Sequence, residues 1–332
     1  MQYRHHPVAS QTGPDFAASL PTNGYGWWYV DALSDCGQHG LTMIAMLGCV
    51  FSPWYAWARA AGRRRADPLE HSGLNLALYG AAGHRWTLTE RGAADVARSA
   101  DRLTIGRSSL HWDGVALQAE IDEITSPWPT RLQGRLRLIP QTLIGNGHDI
   151  DREGAHRWYP IAAQARIEVE FTHPQLRWQG HAYFDANQGL RPLEDDFRSW
   201  NWSRAALADH ARVYYDTEWR GGGGTSLALR FDASGTHACD PPPQRMLPRT
   251  LWGIERMTRC DATAEASVKE TLENGPFYAR SLVDTTVDGH RTLAFHESVS
   301  LERFASRWVQ TLLPVRLPRR PLRRRDQTVP LR

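Results

Sequence analysis

Residues 164–171, QARIEVEF, place the apolar side chains Ala165, Ile167, Val169 and Phe171 at every second position. A period of two is the signature of a β-strand with one buried face. Thr172 to Gln175 form a turn signal, and LRWQGHAYFD then returns as a second strand. Antiparallel pairing of these two strands would carry their outer ends back to one place. At one outer end stands the pair His156-x-Trp158, and at the other Tyr183-x-Asp185, followed by Asn187 and Gly189. Residues two apart share a strand face, so one imidazole, one carboxyl and two electron-rich rings could meet at a common cavity. Such a group suits acid chemistry on an apolar substrate.

The rest of the chain reads much the same way. WWYVDAL and LTMIAMLGCVF look like a first hairpin, and LNLALYG, RWTLTERG, LTIG, SSLHW, VALQAEIDEIT and LQGRLRLIP continue a meander. Its Asp113-Gly114 turn is a strong hairpin signal. SPWYAWARAAGRRRADPLEHSG reads as a long loop between strands. A second β series begins at about Ala165 and runs to RTLAFHESVS. The period changes only near the end, where Leu301, Phe304, Ala305, Trp308, Val309 and Leu312 line one helical face, with Pro314 expected to stop the helix. Many short antiparallel strands and few helices point to a mainly β protein with two barrel-like or sandwich domains. The expected divisions are an irregular lead-in over residues 1–20, β domains over 21–160 and 161–318, and a basic tail over 319–332.

With 332 residues, the chain can bury a sizeable core in each of two domains. A mean hydropathy of −0.51 describes a soluble protein, and the longest apolar run, Leu41 to Phe51, is far short of the ~20 residues of a membrane span. No apolar signal core opens the sequence, so a cytoplasmic location is expected. The four cysteines show no zinc or CxxC spacing and read as structural. A net charge of +3 is too small to argue for nucleic acid. The basic residues are nonetheless clustered, at Arg63–Arg65 and at Arg319, Arg320, Arg323, Arg324 and Arg325, as in a solvated tail or a surface that adheres to anionic membranes. Fourteen tryptophans supply ring surface for a large apolar ligand.

Several features point to ordinary structural roles. Asp-Ala-Asn-x-Gly after an aromatic strand is good turn chemistry by itself. Gly221–Gly224 lacks the GK[ST] of a phosphate loop. His148, Asp149 and Asp151 lack a metal-site spacing, and Glu194, Asp195 and Asp196 read as a solvated turn. His39, His71 and Glu90 are candidates for lining the N-terminal barrel.

The blocks GYGWWYVDALSDCGQHGLTMIA, VFSPWYAWAR, DPLEHSGLNLALYG, RWTLTERG, HRWYP, GHAYFDANQG and HESVSLERFASRW resemble the carotenoid 1,2-hydratases, also called hydroxyneurosporene synthases, of phototrophic purple bacteria. The resemblance runs from about Gly24 to about Arg320. It implies two tandem lipocalin-like antiparallel β-barrels with few short helices, and cofactor-free, metal-free addition of water across the terminal C1=C2 bond of acyclic carotenoids such as neurosporene and lycopene. In that family a His-x-Trp pair and a Tyr-x-Asp pair are essential, and they fall here on His156, Trp158, Tyr183 and Asp185. The implied partners are an acyclic carotenoid, water and a membrane surface to which the protein attaches peripherally.

Hydrating an isolated alkene requires protonation first: H⁺ at C2 leaves a tertiary cation at C1, which water captures. A carboxyl in an apolar pocket holds its proton because desolvation disfavours the charge, which makes Asp185 the expected acid. The rings of Trp158 and Tyr183 can face the cation, and His156 can orient Asp185 or take a proton from the water. The competing readings are a non-catalytic carrier of the polyene and a cyclase or pericyclic catalyst of the same fold.

Overall fold

The computed structural model describes residues 5–61, 66–80 and 83–320. Eleven strands form the principal sheet: β1 (Tyr25–Ser34), β2 (His39–Leu47), β3 (Ser72–Gly80), β4 (Arg85–Arg91), β5 (Val96–Arg98), β6 (Arg102–Ile105), β7 (Ser108–Trp112), β8 (Leu117–Ile124), β9 (Arg131–Pro140), β10 (His156–His173) and β11 (Gln175–Gly189). Their order is β4-β3-β2-β1-β11-β10-β9-β8-β7-β6-β5, with a short bridge at His148–Asp149 added to β10. The sheet curls until β4 meets the end of β8. There the Thr87 hydroxyl donates to the Ile124 carbonyl at 2.8 Å, and the Ser126 N–H to the Trp86 carbonyl at 3.0 Å. The result is a nearly closed barrel. Its core takes Trp28, Val30 and Ala32 from β1, Met43 from β2, Leu76 from β3, Phe184 from β11 and the expected Ala165, Ile167, Val169 and Phe171 from β10. Each large apolar side chain buried there stabilises the fold by ~1.5–3 kcal/mol.

The hairpin β10–β11 forms as its sequence dictates, but it belongs to this first sheet. Among the described residues, 158–191 cluster with those up to Gly147 and with 312–320, whereas His148–Arg157 and Pro192–Thr311 make the second unit. The boundary drawn near residue 160 therefore does not follow the sheet. Period-two patterning marks a strand without saying which sheet it joins, and β11 pairs with β1, about 150 residues away. In β11 a Cβ at Gly180 would stand 1.9 Å from the Leu33 carbonyl oxygen, so glycine lets the two strands close fully.

The second unit holds β12 (Phe197–Ala206), β13 (His210–Trp219), β14 (Gly224–Asp232), β15 (Gly235–Ala238), β16 (Ser267–Asn274), β17 (Tyr278–Val287) and β18 (His290–Ser300), in the order β15-β14-β13-β12-β18-β17-β16. Gly222 and Gly223, at φ +83° and +84°, turn the chain between β13 and β14, the structural role expected of that glycine run.

Three local expectations are corrected. Pro53–Ala60, read as loop, is a helix (α1); Ser52 caps it by accepting from the N–H groups of Trp54 and Tyr55, and Pro53 occupies the first turn. The lead-in packs into the barrel, with Val8 and Phe16 in its core and the Trp28 indole donating to the Val8 carbonyl at 3.1 Å. Among the described residues the other α-helices are a single turn, α2 (Leu193–Asp196), then α3 (Leu301–Phe304) and α4 (Arg307–Arg316), and Pro314 lies inside α4 instead of ending it. An internal proline forfeits one backbone hydrogen bond, and burial of Leu313 and Leu317 holds the last turn in place.

Arg319 and Arg320 do not belong to a free tail. The Glu90 N–H donates to the Pro318 carbonyl, the Arg320 N–H to the Glu90 carbonyl, and the Trp54 indole to the Leu317 carbonyl, so this segment lines the edge of β4. The Arg319 guanidinium lies 2.7 Å from the fully buried Glu90 carboxylate, which also meets His71 at 2.9 Å. Among the described residues, His71 and Glu90 thus serve as an anchor for the C-terminal segment. Arg63–Arg65 and Arg323–Arg325 lie outside the described residues.

Candidate active site

Strand β1 is buried on both faces. Trp28, Val30 and Ala32 point into the barrel, while Tyr25, Trp27, Tyr29 and Asp31 occupy the opposite face and are equally inaccessible. β11 has the same character: Ala182, Phe184 and Ala186 join the barrel core, and Tyr183, Asp185 and Asn187 share the other face. Burial on both faces explains why WWYVDAL lacks clean alternation. The polar face of these two strands is where three of the four expected residues meet.

Asp185 is 5% exposed. Its Oδ2 accepts from Trp158 Nε1–H at 2.8 Å and from the Tyr183 hydroxyl at 2.8 Å. Trp158 and Tyr183 are both fully buried. Burial pushes the Tyr183 phenol well above its ordinary pKa, and the adjacent carboxyl groups of Asp185 and Asp31 push it further. Tyr183 therefore donates to Asp185 as a neutral hydroxyl.

His156 opens the strand that carries Trp158. Asp151 launches that strand by accepting the N–H groups of Glu153, Ala155 and His156 at 2.8–3.2 Å. The His156 ring is fully buried, packs edge-on against Phe197 at 4.9 Å, and donates from Nε2 to Asp196 Oδ2 at 2.7 Å. That bond fixes the ring's orientation and puts a proton on Nε2. Asp196, expected in a solvated turn, is thus the partner of a site histidine. Its 40-residue separation from His156 left no signal in the sequence.

Two further residues on this face escaped the sequence reading, Tyr29 and Asp31. The Tyr29 hydroxyl donates to Asp31 Oδ2 at 3.3 Å, and its ring meets that of Tyr183 edge-on at 6.2 Å. A signal existed: Tyr29-Val30-Asp31-Ala32 repeats the pattern of Tyr183-Phe184-Asp185-Ala186. Among the described residues, no group of His, Cys, Asp and Glu side chains is placed to hold a metal ion.

Residues 43–326 match the model of the carotenoid hydratase family CrtC. The chain belongs to that family. It is 52% identical to an acyclic carotenoid 1,2-hydratase of Thiocapsa roseopersicina, over 92% of this chain and 76% of the relative. It is 42% identical to one of Cereibacter sphaeroides, over 84% and 98% respectively. Among solved structures, an AttH protein of Nitrosomonas europaea superposes with a TM-score of 0.59 at 15% identity, covering 89% of this chain and 98% of the other. A kievitone hydratase of Nectria haematococca gives 0.52 at 9% identity, covering 90% and 98%. At such identities the likeness speaks for the lipocalin-like β fold alone.

Proposed function

We propose that this carotenoid hydratase adds water across the terminal C1=C2 bond of an acyclic carotenoid such as neurosporene, lycopene or a 1-hydroxy derivative, without a cofactor. The observation that carries the reading is the double donation to one oxygen of a buried carboxyl. With Trp158 and Tyr183 directed at Oδ2, a transferable proton on Asp185 belongs on Oδ1. Asp185 gives that proton to C2, the π pair forms the new C–H bond, and C1 becomes a tertiary cation. As the carboxylate forms, its two donors are already in place, so its charge is stabilised without reorganisation. The indole and phenol rings add cation–π stabilisation of ~2 kcal/mol in a desolvated site. Water then bonds to C1, and its proton passes to His156, whose other nitrogen is held by Asp196. Return of a proton to Asp185 closes the cycle.

A C40 polyene resides in a bilayer, so the protein must meet one at its surface. No helix among the described residues is long and apolar enough to cross a membrane. In the second unit, Leu251 is 98% exposed beside the stacked rings of Trp252 and Trp308. Arg303 and the exposed Arg307 flank them. Tryptophan edged by arginine matches the apolar–anionic boundary of a lipid surface, and we place peripheral docking there, on the cytoplasmic face of the membrane.

The test is incubation with lycopene or neurosporene in H₂¹⁸O, wild type beside Asp185→Asn, with products weighed by mass spectrometry. Labelled alcohol from wild type alone is expected. An unchanged polyene in both would leave a carrier, and an isomer without added mass would leave a cyclase.

A further inference from the structure

The buried face of β1 and β11 carries one motif twice. Tyr29-Val30-Asp31-Ala32 and Tyr183-Phe184-Asp185-Ala186 run antiparallel, with Val30 opposite Phe184 at the centre, Tyr29 opposite Asp185 and Asp31 opposite Tyr183. In each copy the tyrosine hydroxyl donates to the aspartate two residues later on its own strand. Asp31 is wholly inaccessible. The two aspartates therefore occupy diagonal positions on one sheet face, about 7–8 Å apart at the backbone, and the two tyrosines occupy the other diagonal. Both carboxyls act on the same Tyr183 hydroxyl, so they share one electrostatic environment.

Ionising both members of a buried diagonal pair costs more than ionising one. We propose that Asp31 is the ionised member and serves as the counter-ion of the substrate cation, while Asp185 carries the proton. This rests on the hydratase reading for the role of Asp185. In the protonation step Asp185 Oδ1–H gives H⁺ to C2, the cation appears at C1, and Asp185 becomes a carboxylate. When water has bonded to C1 and its proton has returned by way of His156, Asp185 is neutral again. Asp31 keeps its charge throughout. Its repulsion helps Asp185 to hold its proton beforehand, and its attraction lowers the energy of the cation afterwards. The repeated motif thus divides into a donor strand and a counter-ion strand.

Binding of a cation mimic tests this without any turnover. N,N-dimethyldodecylamine, protonated at pH 7, and its neutral isostere 2-methyltetradecane are presented in the same detergent micelles, and binding is read from tryptophan fluorescence. Wild type should prefer the ammonium by about tenfold or more. Asp31→Asn should lose that preference while binding the hydrocarbon as before, and Asp185→Asn should retain it. Hydration should fall at least about a hundredfold in Asp31→Asn, with partial rescue in Asp31→Glu. The proposal is overturned if wild type shows no preference, if Asp185→Asn removes it while Asp31→Asn keeps it, or if Asp31→Asn hydrates normally. Should Asp31→Asn fail to fold, loss of the preference in Asp185→Asn alone overturns the proposal and its retention there supports it. Absence of labelled alcohol from wild type would instead count against the hydratase reading, leaving the ammonium preference as a separate result.

Discussion

Trp158 Nε1 and Asp185 Oδ2 lie 2.8 Å apart although 27 positions separate the two residues. The hairpin that joins them makes this contact possible, and it gives the indole a polar role beside its bulk. Trp158→Phe should keep most of the ring and lose the donor. Removing one partner from a buried hydrogen bond to a charged or charge-developing group costs ~1.5–3 kcal/mol, so kcat should fall roughly tenfold to a hundredfold. Rates and thermal unfolding measured together would check this, because pure packing loss would lower stability while leaving kcat near wild type.

The buried Tyr183 phenol makes a prediction at alkaline pH. Its folded pKa is raised by burial and by the adjacent carboxyls, whereas the unfolded phenol titrates near 10. The stabilisation is therefore fully present below about pH 10 and is lost as pH rises from there toward the folded value. Unfolding free energy should fall above pH 10 in wild type and less steeply in Tyr183→Phe. Absorbance at 295 nm should show the Tyr183 phenolate only on unfolding.

At the acid end, His296 of the second unit is wholly buried, bonds the Met257 carbonyl through Nε2 at 2.7 Å, and has its pKa pushed down to about 4 by desolvation. A depressed folded pKa means stability present above the unfolded value near 6.5 and lost as pH falls toward 4. The loss by pH 4 should be ~3 kcal/mol. Urea unfolding at several pH values between 7 and 4 should show that slope in wild type and a shallower one in His296→Gln.

Arg319 anchors the C-terminal segment against a carboxylate with no exposure. Arg319→Ala would leave Glu90 buried without its guanidinium, and breaking such a pair costs ~3 kcal/mol or more. The melting temperature should drop in Arg319→Ala and recover in part when Glu90→Gln is added. An unchanged melting temperature in the single variant would mean the segment is not held as described.

Leu251, Trp252 and Trp308 give the membrane prediction. Flotation with vesicles containing phosphatidylglycerol should carry wild type upward, and Leu251→Ser with Trp252→Ser should abolish this without changing turnover of micelle-dispersed substrate. Equal flotation of both proteins would move the docking surface elsewhere.

The sequence by itself determined the local structure along most of the chain. Apolar alternation in QARIEVEF and the turn at Thr172–Gln175 specify a hairpin, because strand period and turn chemistry are properties of consecutive residues. That hairpin alone brings Trp158, Tyr183 and Asp185 together. Pro53 after Ser52 was an equally local helix signal, obscured by the aromatic and arginine run that follows. Other relationships were decided only by the tertiary structure. Pairing of β11 with β1 sets Asp31 opposite Tyr183, packing of α2 brings Asp196 to His156, and the return of Leu317–Arg320 to β4 closes over Glu90. Each depends on which distant strands share hydrogen bonds and which charges are buried together. A sequence pattern shows which residues face the same way; only the closed sheet shows which of them meet.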